Sequence, residues 1–293
     1  MIDKYDAIVI GAGHNGLVCS ALLAKAGKKV LVLEANNQVG GAAITREFAE
    51  GYSASACAHL LYQLQPQVEK DLNLNLKLAS KNMSTIVLSK GSEHVSYCGS
   101  KVTGVNDSDQ KNFEEFTKRM TKFADLLKPY LNKAPPRLGT KNKKDLFTLA
   151  MLGFDLRRMG QVEMREFLRL IGMNIYDELD ERFENPLLKG GLSLDSVLGT
   201  HLGPRSPNTI LTYLYRMAGK HGEISLPEGG MGSVSKALSD CAEAAGVEIK
   251  KNAQVKKVLL AKGATTGVEL NDGTVYNSEI VVSNADPKKT MLE

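Results

Sequence analysis

The chain has no run of 18 uninterrupted apolar residues, so no membrane-spanning helix is read from it. It also lacks a basic, then apolar, then small-residue leader, because its first residues pass directly into a strand pattern; a cytoplasmic protein is expected. Cysteine is sparse. Cys19, Cys57, Cys98 and Cys241 stand too far apart for a redox dithiol or a thiolate zinc site, and buried free thiols are expected instead. The five histidines are equally scattered with no His-x-x-x-His pair, and no metal is expected. Nor does one sign of charge dominate. A formal +4 over 293 residues gives no electrostatic footprint for nucleic acid. What is present is 43% hydrophobic sequence, enough to fill two compact domains or one elaborated α/β unit.

The most informative stretch is the first. Asp6 to Ile10 reads as a strand that runs into Gly11-Ala12-Gly13-His14-Asn15-Gly16, and Val30 to Leu33 reads as a second, buried parallel strand ending at Glu34. In such a strand-turn-helix, Gly11 permits the tight turn, Gly13 leaves the backbone open to a pyrophosphate, and Gly16 lets the helix pack against the strand. The helix start offers unpaired N–H groups and a partial positive charge to the phosphates. Glu34 lies near the ~20-residue spacing at which an acid accepts ribose hydroxyls. A carboxylate there repels a 2′-phosphate, which favours FAD or NAD over NADP. Two further glycines, Gly40 and Gly41, suggest a second close approach of backbone to cofactor, followed by Thr45.

At this point the sequence resembles a known family. Gly11-x-Gly13-x-x-Gly16, Glu34, and Gly40-Gly41 followed by Thr45 look like the FAD-binding signature of the amine oxidase and phytoene desaturase flavoproteins. The resemblance returns late in the chain. Pro227-Glu228-Gly229-Gly230-Met231 leads into a helical pattern at Val234, Ala237, Leu238, Cys241 and Ala245, stopped by Gly246. Short strands follow at 247–249, 254–260, 267–270 and 274–276, with Asn271-Asp272-Gly273 as a hairpin turn. Ile280 to Pro287 then resembles the strand by which phytoene-desaturase-like chains re-enter the FAD domain. The stretch Gly199 to Pro207 resembles one branch of that family.

Between these ends the strand-helix alternation stops. Asp109 is expected to cap a helix through Leu131, with Phe113, Phe116, Met120, Phe123, Ala124 and Leu127 on one face. Further helices are expected over 145–159, 161–182 and 209–220. From Leu126 to Lys144 there are six basic residues and no acidic one, with Pro129, Pro135, Pro136 and Gly139 interrupting any helix. This reads as a solvated linker or as contact with an anionic membrane surface.

The fold class expected is therefore α/β: a Rossmann-like FAD-binding domain (1–60 and 221–293) with a discontinuous, mainly helical substrate domain (61–220) inserted. The resemblance implies that Gly11, Ala12, Gly13, His14, Asn15, Gly16, Glu34, Ala35, Gly40, Gly41, Ala42, Thr45 and the backbone of Val255 hold FAD. It implies an FAD-dependent oxidoreductase of dehydrogenase or desaturase type, in which flavin takes hydride from a small hydrophobic substrate. A flavin-binding module acting through a protein partner and a flavin-dependent polyene isomerase are the alternatives; a plain NAD dehydrogenase fits less well, given Gly40-Gly41 and the returning strand. Ala42 stands where many amine-oxidase relatives carry arginine, which argues against amine oxidation. No catalytic constellation emerges, and His59 and His201 are the polar candidates for a substrate cavity. The family continues well past Glu293 into a last segment that contacts the flavin end of FAD, so a truncated, inactive fragment is expected.

Overall fold

A computed structural model describes residues 4–219 and 223–292, which form two compact units. The first unit joins residues 1–80 to 225–293, and the second comprises 81–224, so the chain leaves the first unit at Ser80 rather than at residue 60. In chain order the first unit contains β1 (Ala7–Ile10), α1 (His14–Lys25), β2 (Val30–Leu33), β3 (Thr45–Ala49), β4 (Tyr52–Ser55), α2 (Pro66–Leu72) and β5 (Leu78–Ser80). The second contains β6 (Thr85–Val87), β7 (Val95–Cys98), β8 (Lys101–Thr103), α3 (Asp107–Leu131), α4 (Lys143–Arg158), α5 (Gln161–Leu170), α6 (Ile175–Arg182), α7 (Pro186–Val197) and α8 (Thr209–Met217). The first unit then resumes with β9 (Leu226–Pro227), α9 (Met231–Ala244), β10 (Glu248–Lys250), β11 (Val255–Ala261), β12 (Ala264–Leu270), β13 (Val275–Asn277), β14 (Val281–Ser283) and α10 (Pro287–Leu292).

The first unit is built on a parallel sheet in the order β10-β2-β1-β14, in which Ile10 pairs with Leu33 on one side and Ser283 on the other. Its two central strands, β1 and β2, are buried on both faces, as their continuous apolar runs require. Alternate side chains feed two different cores. Val9, Val30 and Val32 pack with Leu17 and Ala21 of α1 and Val234 and Leu238 of α9. Ile8, Leu31 and Leu33 pack instead with Val268 and Leu270, from the antiparallel sheet β11-β12-β13. The β12–β13 hairpin turns at Asn271-Asp272-Gly273, where Gly273 has φ +86°. Glycine reaches that conformation without a Cβ penalty. The returning strand expected near residue 281 is β14, hydrogen-bonded in parallel to β1.

The second unit is mostly helical, with the small antiparallel sheet β6-β7-β8. Phe113, Phe116, Met120, Phe123 and Ala124 lie buried along one side of α3, as their spacing indicates, and Leu127 is partly buried beside them. Four details differ from the sequence reading. Asn106, not Asp109, caps α3, its side chain accepting from the Asp109 N–H at 2.7 Å. The Asp109 carboxylate is buried and accepts from the backbone N–H groups of Glu184 and Asn185 at 2.9 and 2.7 Å. Pro129 does not interrupt α3 but sits inside it, close enough to the end that only the last turn loses a hydrogen bond. The helix expected over 161–182 is two helices, α5 and α6. A turn through Gly172 separates them, and Asn174 caps α6 by accepting from the Asp177 N–H. The free thiols are not buried: Cys57 is exposed, and Cys19, Cys98 and Cys241 are partly so.

Among the described residues no helix is long and apolar enough to cross a membrane. The helix α4 buries none of its side chains; Leu146, Phe147 and Phe154 are exposed on it beside Lys143 and Lys144. Lys220, at the end of the helix expected from Thr209, lies outside the described residues.

Candidate functional site: the glycine-rich turn and its cleft

The site is assembled where three parallel strands of the first unit end side by side. The chain leaves β1 through Gly11, whose φ of +93° turns it sharply while its N–H donates to the Leu33 carbonyl at 2.8 Å. It enters α1 at Gly13, and no side chain caps the helix start. No acidic residue occupies the first turn of α1 either. The N–H groups there are thus left for an acceptor outside the helix, and the dipole favours an anion. Partial desolvation holds the pKa of His14 below the ordinary histidine value although its side chain reaches solvent, and the turn itself carries no lysine or arginine.

Gly16 is the packing glycine. A Cβ placed on it would stand 2.2 Å from the Gly11 carbonyl oxygen, so the close approach of α1 to β1 depends on its absence. Gly40 and Gly41 form a second loop laid against the first: the Gly40 N–H donates to the Ala12 carbonyl at 2.8 Å, and a Cβ on Gly41 would lie 3.2 Å from the Gly13 Cα. Their positive φ values, +124° and +58°, account for two glycines in succession. A Cβ on Gly40 would meet the Ala43 carbonyl oxygen and the Ile44 side chain, both at 2.8 Å, so both loops are closed against the protein itself.

Glu34 is buried at the end of β2, only 6% exposed. Its Oε2 accepts from the Ala12 N–H at 2.8 Å, and its Oε1 accepts from the backbone and side-chain N–H groups of Asn36, both at 2.9 Å. A carboxylate has about four lone-pair positions, so roughly one remains for a ligand hydroxyl. Glu34 is therefore a clasp on the glycine-rich turn with acceptor capacity to spare. Thr45 is engaged elsewhere. Its Oγ1 donates to the Gly229 carbonyl at 2.8 Å and accepts from the Gly232 N–H at 3.0 Å, tying β3 to the start of α9. His14, Asn15 and Ala42 are exposed, and Ala12 is fully buried.

A cleft of about 740 Å³ opens beside this turn. Gly11, Glu34, Ala35 and Val255 all line it, so residues singled out from three separate parts of the sequence meet in one cavity. Ser283 and Ala285, at and just past the end of β14, and Gln254 and Lys256 line it too, although no motif named them individually. The dimensions suit a drug-sized or cofactor-sized molecule. His59 is exposed in the first unit and His201 is exposed in the second. Among the described residues no three His, Cys, Asp or Glu side chains gather as a metal site would need.

The family model for flavin-containing amine oxidoreductases matches residues 16–290. The chain belongs to that family. FAD is the cofactor that membership of this flavin-containing family gives. It is 30% identical over 318 residues to pyridine nucleotide-disulfide oxidoreductase domain-containing protein 2 of Mus musculus, covering 99% of this chain and 55% of that protein. It is 26% identical over 309 residues to one of the subunits of limonene dehydrogenase from Castellaniella defragrans, covering 99% of this chain and 53% of the relative. The fold is similar to that of wild-type putrescine oxidase bound to putrescine, with TM-score 0.60 at 18% identity, over 98% of this chain and 59% of that one. The chain thus spans about half the length of the curated relatives it matches.

The residues present fit FAD. The uncapped helix start suits a diphosphate, the spare acceptor capacity of Glu34 beside the cleft suits a ribose hydroxyl, and the cleft lined by Val255 and Ala35 suits an adenine.

Proposed function

We propose that the first unit is a Rossmann-like FAD-binding domain, the second a mainly helical substrate domain inserted into it, and the whole an FAD-dependent dehydrogenase or desaturase of a hydrophobic substrate. The observation that carries this is the convergence of Gly11, Glu34, Ala35 and Val255 on one cleft at the ends of parallel strands, the place where open α/β sheets take their ligands. Bound flavin would supply the hydride acceptor, and the chain supplies binding and orientation. In this reading the first-turn N–H groups of α1 and the Gly13 backbone hold the diphosphate. Glu34 accepts from the adenosine ribose, and its carboxylate excludes a 2′-phosphate. The backbone of Val255 lies against the adenine.

The hydrophobic class of substrate is supported by the likeness to a limonene dehydrogenase chain, together with Ala42 in place of the arginine of many amine-oxidase relatives. That relative's name also makes it one part of a multi-chain dehydrogenase, which supports the second reading, a flavin-binding chain that works with a protein partner. Anaerobic titration separates the two. A terpene or polyene substrate is expected to bleach the oxidised flavin spectrum of the purified protein, whereas retention of the oxidised spectrum with every such substrate would favour the partner-dependent reading.

Peripheral contact with an anionic membrane surface belongs to the same proposal. It is supported by the exposed Leu146, Phe147 and Phe154 of α4 next to the basic residues between Lys128 and Lys144. The protein is expected to sediment with anionic vesicles at low ionic strength and to be released as salt shortens the reach of its charges. Equal recovery in the supernatant with and without vesicles at low salt would remove this element.

A further inference from the structure

The glycines that leave room for a diphosphate in this fold also face a side chain. Asn284 follows β14 directly, and its backbone N–H donates to the Ile10 carbonyl at 2.8 Å, which places it alongside the turn out of β1. A Cβ on Gly13 would stand 2.9 Å from Asn284 Nδ2. One on Gly16 would stand 3.0 Å from the same atom, and one on Gly11 3.6 Å from the Asn284 carbonyl oxygen. At Gly13, chain neighbours aside, the amide nitrogen is the one heavy atom among the described residues that an added Cβ would meet within 4 Å. Asn284 therefore lies in the notch made by all three glycines, at the open start of α1.

Asn284 is half-buried and, among the described residues, makes no side-chain hydrogen bond. Two neighbouring polar side chains are committed within the protein. Glu34 holds Ala12 and Asn36, and Thr45 holds the Gly229–Gly232 turn. The turn from Gly11 to Gly16 contains no lysine or arginine. A carboxamide presents two N–H donors, so a neutral donor that lies over the turn and is unspent within the protein is suited to an anionic oxygen.

We propose that Asn284 is a cofactor-positioning residue whose Nδ2 donates to the diphosphate seated on the glycine-rich turn. The inference rests on the FAD reading above and adds a residue from the returning segment to the phosphate site. It also gives that segment a role beyond completing the sheet: the diphosphate is held from two sides, by the N–H groups of the turn that follows β1 and by the amide that follows β14.

The test is calorimetric titration of the protein and of Asn284→Ala, Asn284→Asp and Asn284→Ser with ADP and with adenosine, each variant first checked for an unchanged circular-dichroism melt. Asn284→Ala is expected to bind ADP about tenfold more weakly, the loss associated with one hydrogen bond to a charged group. Asn284→Asp, isosteric but anionic, is expected to lose about a hundredfold or more by adding repulsion to that loss. Asn284→Ser keeps a donor and should recover part of the affinity. Adenosine affinity is expected to be the same in all four proteins. Equal ADP affinity across the series would overturn the proposal, as would parallel losses for ADP and adenosine, which would make Asn284 a purely structural residue. If the unsubstituted protein bound neither ligand, the FAD reading itself would fall, and this inference with it.

Discussion

Gly16→Ala is expected to destabilise the first unit by about 3 kcal/mol, while Gly13→Val leaves the protein folded and removes its flavin. The two glycines belong to one motif, yet their surroundings differ in kind. A methyl at Gly16 meets the carbonyl oxygen of Gly11 at 2.2 Å, a backbone atom fixed between α1 and β1. Something must shift, and overpacking of a close-packed junction typically costs about 1–3 kcal/mol or more. At Gly13 the φ of −67° suits any residue, and an added Cβ meets the end of the flexible Asn284 side chain. A valine there can be accommodated, but it covers the backbone on which a diphosphate would rest. Thermal melts and flavin absorbance of the two variants check the contrast. Equal melting temperatures for Gly16→Ala and the parent protein would refute the packing role of Gly16, and stoichiometric flavin in Gly13→Val would refute the phosphate role of Gly13.

The second large effect is expected at Glu34. Its removal deprives Ala12 and Asn36 of their acceptor as well as depriving a ribose of its own. Of these only Ala12 is buried, and an unsatisfied buried N–H costs about 1–3 kcal/mol, while a hydrogen bond to a charged group contributes roughly 1.5–3 kcal/mol. Glu34→Ala is therefore expected to lower the melting temperature and to weaken FAD binding by about 10- to 100-fold. Glu34→Gln separates the roles. Its amide oxygen can still accept from Ala12, so stability is expected to recover further than affinity. Unchanged affinity in Glu34→Ala would show that the carboxylate serves only the turn.

Much of this architecture was legible because the relevant signals are local. A buried apolar strand, a turn that needs positive φ at Gly11 and an acid at the end of the next strand are all contained in 29 consecutive residues, Asp6 to Glu34. The hairpin at Asn271-Asp272-Gly273 and the buried face of α3 are local in the same sense. What escaped depends on partners far away in the chain. Nothing near Asn284 in sequence says that its amide will lie over Gly13 and Gly16, because that follows from the parallel pairing of β14 with β1. The tie of the Thr45 hydroxyl to the Gly229–Gly232 turn likewise appears only once α9 is placed beside it. Asp109 reads as a cap because its true partners, the backbone of Glu184 and Asn185, lie some 75 residues on. The break between α5 and α6 was nearer to hand, since Gly172 and Asn174 are ordinary stop and start signals inside an apolar pattern that otherwise continues.

The central claim is that one adenosine-diphosphate cleft is built from the glycine-rich turn, the end of β2 and the start of β11. Titrating ADP into isotope-labelled protein while following backbone amide resonances tests it directly. The account predicts that the signals of Gly11 to Gly16, Glu34, Ala35 and Val255 shift together with a single dissociation constant, while those of residues 81–219 stay in place. Shifts confined to the second unit, or none at millimolar ADP in a folded sample, would contradict it.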